Sequence, residues 1–134
     1  MAGFSGTEFN AELRHLIREF KVGGVILFSR NIENPSQLRH LCRSIQDYAK
    51  SCGQPPLFIA VDQEGGLVAR LKAPFTEFPG QPYIRTSKDA IRFGDITGRE
   101  LFEVGINMDM APVLDVAPEE IGRASCRERV CHRV

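Results

Sequence analysis

Neither sign of charge prevails in this sequence: Lys and Arg number 17, Asp and Glu number 17, and the formal charge at pH 7 is zero. That balance argues against the positive field that a nucleic-acid arm or a polybasic membrane-surface segment needs. No apolar run approaches the roughly 20 residues of a membrane-spanning helix, and no charged-then-apolar leader opens the chain. A soluble, cytoplasmic protein is the expectation. Cysteine is sparse too. The four, Cys42, Cys52, Cys126 and Cys131, form no C-x-x-C and no His/Cys cluster. Zinc or thioredoxin-like chemistry therefore has no framework, and reduced thiols without a function are expected. Phosphate loops are also missing: no G-x-G-x-x-G or G-x-x-x-x-G-K occurs.

What is present has the proportions of an ordinary globular protein: 134 residues, 43% hydrophobic and 25% charged. Val25-Ile26-Leu27-Phe28 and Leu57-Phe58-Ile59-Ala60-Val61 are short, continuous apolar runs. They read as strands buried on both faces of a parallel sheet, near 24–28 and 57–62. A third run begins at Ile106 and alternates through Asn107, Met108, Asp109 and Met110 until Pro112 limits pairing, which predicts a strand near 106–111. Met1-Ala2-Gly3-Phe4 reads as the end of one more strand, with residues before it missing.

Helical patterns lie between these strands. Asn10 caps a predicted helix over 10–20, with Leu13, Leu16, Ile17 and Phe20 inward. Asn34-Pro35 opens another over 35–50, carrying Leu38, Leu41, Cys42, Ile45 and Tyr48, and Gly53-Gln54-Pro55-Pro56 stops it. Ser87 is the expected cap of a third over 87–104, with Ala90, Phe93, Thr97, Leu101 and Val104 inward and Gly105 terminating it. A long loop is expected between the second strand and this helix. Alternation of this kind makes parallel strands joined by right-handed crossovers. A doubly wound sheet announces itself by a glycine-rich phosphate turn after its first strand, and Gly23-Gly24 precedes a strand instead. The alternative is a (β/α)8 barrel of about 250 residues, or roughly 31 per unit. Residues 1–119 then make about 3.8 units, the N-terminal half of an α/β barrel.

The most informative stretch is Ile59-Ala60-Val61-Asp62-Gln63-Glu64-Gly65-Gly66, continuing to Arg70. Two carboxylates and an amide emerge where a buried strand ends, and polar groups at the carboxyl ends of parallel strands face the ligand crevice. Arg70 supplies a fork of donors to clamp a polar ligand. A plain Asp/Gly turn remains open as the other reading. Asp109 and Asp115 either project into the same crevice or satisfy backbone amides inside the barrel, and Met108 and Met110 read as core filler. Arg30-Asn31 either lines the crevice or begins a loop. His15 and His40 sit among charged neighbours on solvated helix faces.

Taken in order, Gly23-Gly24-Val25-Ile26-Leu27-Phe28 with Arg30-Asn31, Val61 through Gly66 with Arg70, Phe78-Pro79-Gly80, and Gly105-Ile106-Asn107 through Val116 resemble one family. They look like the N-terminal half of the catalytic domain of glycoside hydrolase family 3, in its bacterial β-N-acetylhexosaminidase branch. The resemblance covers nearly all of residues 3–119. It implies a barrel enzyme that removes terminal non-reducing β-linked N-acetylhexosamine, typically N-acetylglucosamine, with retention of configuration, in the recycling of cell-wall amino sugars. A β-glucosidase-type specificity is the runner-up, and an inactive sugar-binding fragment the alternative of another class. The resemblance implies a small-molecule carbohydrate as partner, with no metal or organic cofactor, no nucleic acid and no membrane. Asp62 matches the family's substrate-binding aspartate in the first sugar subsite, and Arg70 an arginine lining that subsite. Glu64 matches no catalytic role and reads as a turn or supporting residue.

Retaining hydrolysis needs a nucleophilic carboxylate and a proton donor on either side of the glycosidic bond. In the family the nucleophilic aspartate lies on a later strand, and in this branch a histidine loop supplies the acid/base. Neither motif occurs in these 134 residues, so no catalytic residue is assigned, and both are expected beyond the chain end. Asp109 and Asp115 do not fill the vacancy. Residues 120–134 carry Arg123, Arg127, Arg129 and Arg133 against Glu120 and Glu128. Ile121 through Val130 resembles a translated sequencing-library adapter, so 120–134 is expected to be a non-native tail.

Overall fold

A computed structural model describes residues 1–113 of the chain. Helix α1, Ala11–Arg18, begins where Asn10 accepts a hydrogen bond from Leu13 N at 3.1 Å, and it buries Leu13 and Ile17. It ends short of Phe20, which is 67% exposed rather than inward. Phe20 instead meets the His15 ring edge-on at 5.1 Å between centroids, and Lys21 follows with φ 48°.

Strand β1, Gly24–Leu27, is followed by a 3-10 turn, Ser29–Asn31, and by helix α2, Pro35–Ser51. Asn34 caps α2 by accepting from Gln37 N at 2.9 Å, with Pro35 in the first turn as expected. Leu38, Leu41, Cys42, Ile45 and Ala49 form the buried face. Strand β2, Phe58–Val61, comes next, and β5, Met108–Asp109, is the last strand among the described residues. The strands pair in parallel in the order β1-β2-β5, with Ile26 opposite Ala60 and Val61 opposite Asp109. On the far side of β1, Ala2 makes a parallel bridge to Val25, so the first residues do add a fourth strand position.

Spatial order thus follows chain order. A doubly wound sheet reverses direction at a switch point, whereas a barrel adds each strand beside the last. Val25, Leu27, Ile59 and Val61 share the face packed against the helices and are fully buried with Leu13, Ile17, Leu41 and Ile45. Residues 58, 60 and 62 share the opposite face, the interior face of a barrel. Here the expected two-sided burial fails, because Phe58 is 59% exposed. Gly24 is required opposite it: a Cβ there would lie 2.6 Å from Phe58 O.

Three further expectations are corrected. The segment after β2 is no plain loop, for β3, Gln63–Gly65, and β4, Val68–Ala69, form an antiparallel hairpin. Helix α3, Ser87–Glu103, is capped by Thr86 and not by Ser87. Thr86 Oγ1 accepts from Asp89 N at 3.2 Å, and the Asp89 carboxylate accepts from Thr86 N at 2.9 Å. That reciprocal box needs a carboxylate or amide three residues on, and from Ser87 that position is Ala90, which is exposed. The third strand is two residues long instead of spanning 106–111, although Asn107 N to Ile59 O at 3.2 Å and Met110 N to Val61 O at 2.8 Å extend its pairing. Gly105, with φ 87°, terminates α3 as expected.

Candidate functional site

Asp62 leaves the end of β2 and is 1% exposed. Its Oδ2 accepts a hydrogen bond from Arg70 Nη2 at 3.0 Å. The hairpin brings the two together. Gly65 and Gly66 adopt φ 86° and 61°, so the chain reverses within two residues and returns Arg70 to the strand end. Phe78-Pro79-Gly80 packs on that turn: Gly66 N donates to Phe78 O at 2.7 Å, and a Cβ on residue 66 would meet Pro79 O at 2.8 Å. Two motifs separated by a dozen residues therefore form one unit.

Gln63, expected only as an amide beside two carboxylates, holds the return. Its Oε1 accepts from Arg70 N at 2.8 Å and Leu71 N at 3.0 Å, and its Nε2 donates to Leu71 O at 3.0 Å. The only signal in the sequence is an amide lodged between two carboxylates at a strand exit. Asp109 accepts from Gln63 N at 3.0 Å, so it takes the amide-satisfying role among the two left open. Burial raises its carboxyl pKa above the ordinary aspartate value, and the charges of Asp62 and Glu64 add to the effect. Glu64 is buried on β3, and its carbonyl accepts from Gln81 Nε2 at 3.2 Å. Asp115 lies outside the described residues.

Phe28, one residue past β1, lies beside the pair. The Arg70 guanidinium lies 5.9 Å from its ring centroid, and that of Arg30 lies 4.7 Å from it. Asn31 is a loop anchor: its Oδ1 accepts from Phe28 N at 2.9 Å, and its Nδ2 donates to Phe4 O and Gly6 O at 3.1 and 2.8 Å. Arg30 Nε donates to Phe4 O at 3.2 Å while its side chain stays in solvent. His15 and His40 lie on exposed helix faces. Cys42 is a buried free thiol whose pKa burial pushes up to about 12, which makes it inert at neutral pH. Among the described residues no group of three or more His, Cys, Asp or Glu is placed to hold a metal ion, and no helix is long and apolar enough to cross a membrane.

Chemically, the site offers a shielded carboxylate and a planar guanidinium side by side. Arg70 Nε is buried and has no hydrogen-bond acceptor among the described residues, so donor capacity remains beyond the Asp62 contact. Such a pair suits a neutral ligand rich in hydroxyls, which needs strong acceptors and fixed donors together.

Parallel strands laid down in chain order, with the Asp62–Arg70 ion pair at their carboxyl end, define the opening units of a (β/α)8-type barrel, whose carboxyl-end face is where such folds place their ligands. The family described as glycosyl hydrolase family 3 N terminal domain matches residues 2–129, and the chain belongs to that family. It is 39% identical over 120 residues to a beta-hexosaminidase of Pseudomonas aeruginosa (strain LESB58), covering 87% of this chain and 35% of the relative. It is 41% identical over 120 residues to a beta-hexosaminidase of Methylobacillus flagellatus, covering 83% and 33%. Among solved structures, a glycoside hydrolase family 3 beta-N-acetylglucosaminidase from Paenibacillus sp. str. FPU-7 superposes with a TM-score of 0.83 at 41% identity, over 87% of this chain and 23% of that one. NagZ from Neisseria gonorrhoeae in complex with N-trifluoroacetyl-D-glucosamine superposes with a TM-score of 0.74 at 31% identity, over 87% and 36%. The chain spans about a third of the length of the curated relatives it matches.

Proposed function

We propose that these residues form the sugar-recognition half of an exo-acting β-N-acetylhexosaminidase that releases terminal β-linked N-acetylglucosamine with retention of configuration. The observation that carries this reading is the Asp62–Arg70 pair, 3.0 Å apart at the carboxyl end of a parallel strand, in a chain whose relatives are named beta-hexosaminidases. Asp62 accepts hydrogen bonds from hydroxyls of the terminal sugar, and charge-assisted bonds of this kind are about twice as strong as neutral ones. Arg70 holds Asp62 in place and lines the same subsite. The nucleophilic aspartate and the histidine acid/base come from residues outside these 134. Cell-wall-derived amino sugars in the cytoplasm are the substrate source that this reading names. On the same reading residues 1–119 carry the barrel segment and 120–134 form a non-native tail.

The test is to express the complete reading frame and offer it aryl β-N-acetylglucosaminide and aryl β-glucoside side by side. Preferential release of nitrophenol from the first supports the reading. Preference for the glucoside moves the protein to a β-glucosidase-type specificity, and a reading frame that stops near residue 134 makes it a sugar-binding fragment.

A further inference from the structure

We propose that Asp109 is a positioning residue for the sugar site, acting through the Gln63 peptide to fix the turn on which Asp62 and Arg70 meet. The inference rests on the reading of Asp62 and Arg70 as the ligand-binding pair. Strand β2 ends at Val61, whose carbonyl accepts from Met110 N at 2.8 Å. The backbone then leaves the three-stranded sheet to begin β3. Gln63 N–H is the first donor past Asp62, and the Asp109 carboxylate takes it at 3.0 Å. Asp62 is thereby tethered on both sides, through the carbonyl before it and the amide after it, to two consecutive residues of one neighbouring segment.

The chain of bonds then closes on itself. Asp109 holds the Gln63 backbone, the Gln63 side chain holds the Arg70 and Leu71 amides, and the Arg70 guanidinium returns to Asp62. Freeing the Gln63 amide lets the peptide after Asp62 rotate, and with it the direction of the carboxylate. An ionised acceptor makes a stronger bond to an N–H than a neutral one, which suits a tether that must hold one orientation. Asp109 touches no sugar on this account, and its effect passes entirely through Asp62.

The experiment measures N-acetylglucosamine affinity by calorimetry on the complete gene product. Asp109→Leu removes the acceptor, whereas Asp109→Asn keeps an oxygen in the same place. The expected result is a loss of about tenfold for Asp109→Leu, with Asp109→Asn within about threefold of the parent. In an Asp62→Ala background, Asp109→Leu should add less than about twofold, because both changes remove the same interaction. An additive cycle overturns the proposal. So does unchanged affinity in Asp109→Leu, or equal loss in both folded Asp109 variants. Failure of both Asp109→Leu and Asp109→Ala to fold makes the residue a folding element and also overturns it. A ligand-free readout separates this inference from the sugar reading. The Arg70 Nη2–H resonance, held by Asp62 and slowly exchanging in the parent and in Asp109→Asn, should be lost in Asp109→Leu whether or not sugar binds. Absence of N-acetylglucosamine binding in the parent therefore sinks the sugar reading alone, and the Arg70 resonance still decides the role of Asp109.

Discussion

At the scale of single residues, the Asp62–Arg70 pair combines two demands that oppose each other. On the proposed reading a charged acceptor holds the sugar hydroxyls strongly, and shielding that acceptor from water raises its cost unless a partner compensates it. Arg70 compensates it at 3.0 Å, with a quarter of its own side chain still in solvent. Asp62→Ala should weaken N-acetylglucosamine binding by the complete enzyme by roughly 2–4 kcal/mol, through loss of charge-assisted bonds in a shielded site. Calorimetry showing unchanged affinity would remove Asp62 from the site. Arg70→Lys should also be harmful, because an ammonium cannot reproduce the planar fork that faces both Asp62 and the Phe28 ring. Asp109 gives a pH prediction of the opposite sign from a paired acid. Its folded pKa is raised above the ordinary value of about 3.9, so stability falls as pH rises through the window between the two and stays reduced above it. Asp109→Asn should therefore raise the urea midpoint at pH 7, with the gain shrinking as pH falls toward 4. A lowered midpoint at pH 7 would show that the bond to Gln63 outweighs the burial of charge.

At the scale of elements, the ends of the helices separate what the chain spells out locally from what it does not. Asn10 and Asn34-Pro35 stand immediately before apolar periodicity, and both cap as read. Thr86 was hidden by Ser87, an equally good capping type one residue later, and only the Asp89 carboxylate three positions beyond Thr86 distinguishes them. Thr86→Ala should therefore cost about 1 kcal/mol of stability, with Ser87→Ala close to neutral, in parallel denaturant titrations. Equal costs would mean that the box does not operate in solution. Thr86 also holds the Asp89 carboxyl below its usual range, so the cap's contribution is present at neutral pH and is lost as acid protonates Asp89 through that lowered value. The hairpin at 63–69 was illegible for a different reason. Strands of three and two residues are too short to display a period, and their pairing is set by the positive φ of Gly65 and Gly66 and by Gln63 reaching across to Leu71. Likewise Asp62 and Arg70 could be picked out by type and place. The amide and carboxylate that fix them, Gln63 and Asp109, could not, since hydrogen-bond partners 46 residues apart leave no local pattern.

At the scale of the whole molecule, the face that carries the site is also the face with the least cover. Phe58 and Met110 are 59% and 38% exposed, and Ile26 is only half-buried, although each lies on or beside a parallel strand. A barrel covers these positions by closing its sheet, pairing the last strand with the first, so that interior side chains pack in layers. Among the described residues the sheet runs from the Ala2 bridge to β5 and remains open on both sides. Apolar burial contributes about 25 cal/mol per Å2, so a few hundred Å2 left in water is worth several kcal/mol, set against a domain stability of about 5–15 kcal/mol. The 134-residue polypeptide by itself should therefore be marginally folded, or recruit a second copy along its open edges. Neither outcome supplies chemistry. Retaining hydrolysis requires two groups flanking the glycosidic bond, a nucleophile and a proton donor. Asp62 is paired with Arg70 and, on the proposed reading, holds sugar hydroxyls, while the Asp109 carboxylate holds the Gln63 amide. Purified as these 134 residues, the protein should release no nitrophenol from an aryl N-acetylglucosaminide above a buffer blank. Turnover that follows the protein through purification and vanishes in Asp109→Ala would mean that Asp109 meets substrate directly, and would overturn both the positioning role and the assignment of catalysis to residues outside this segment.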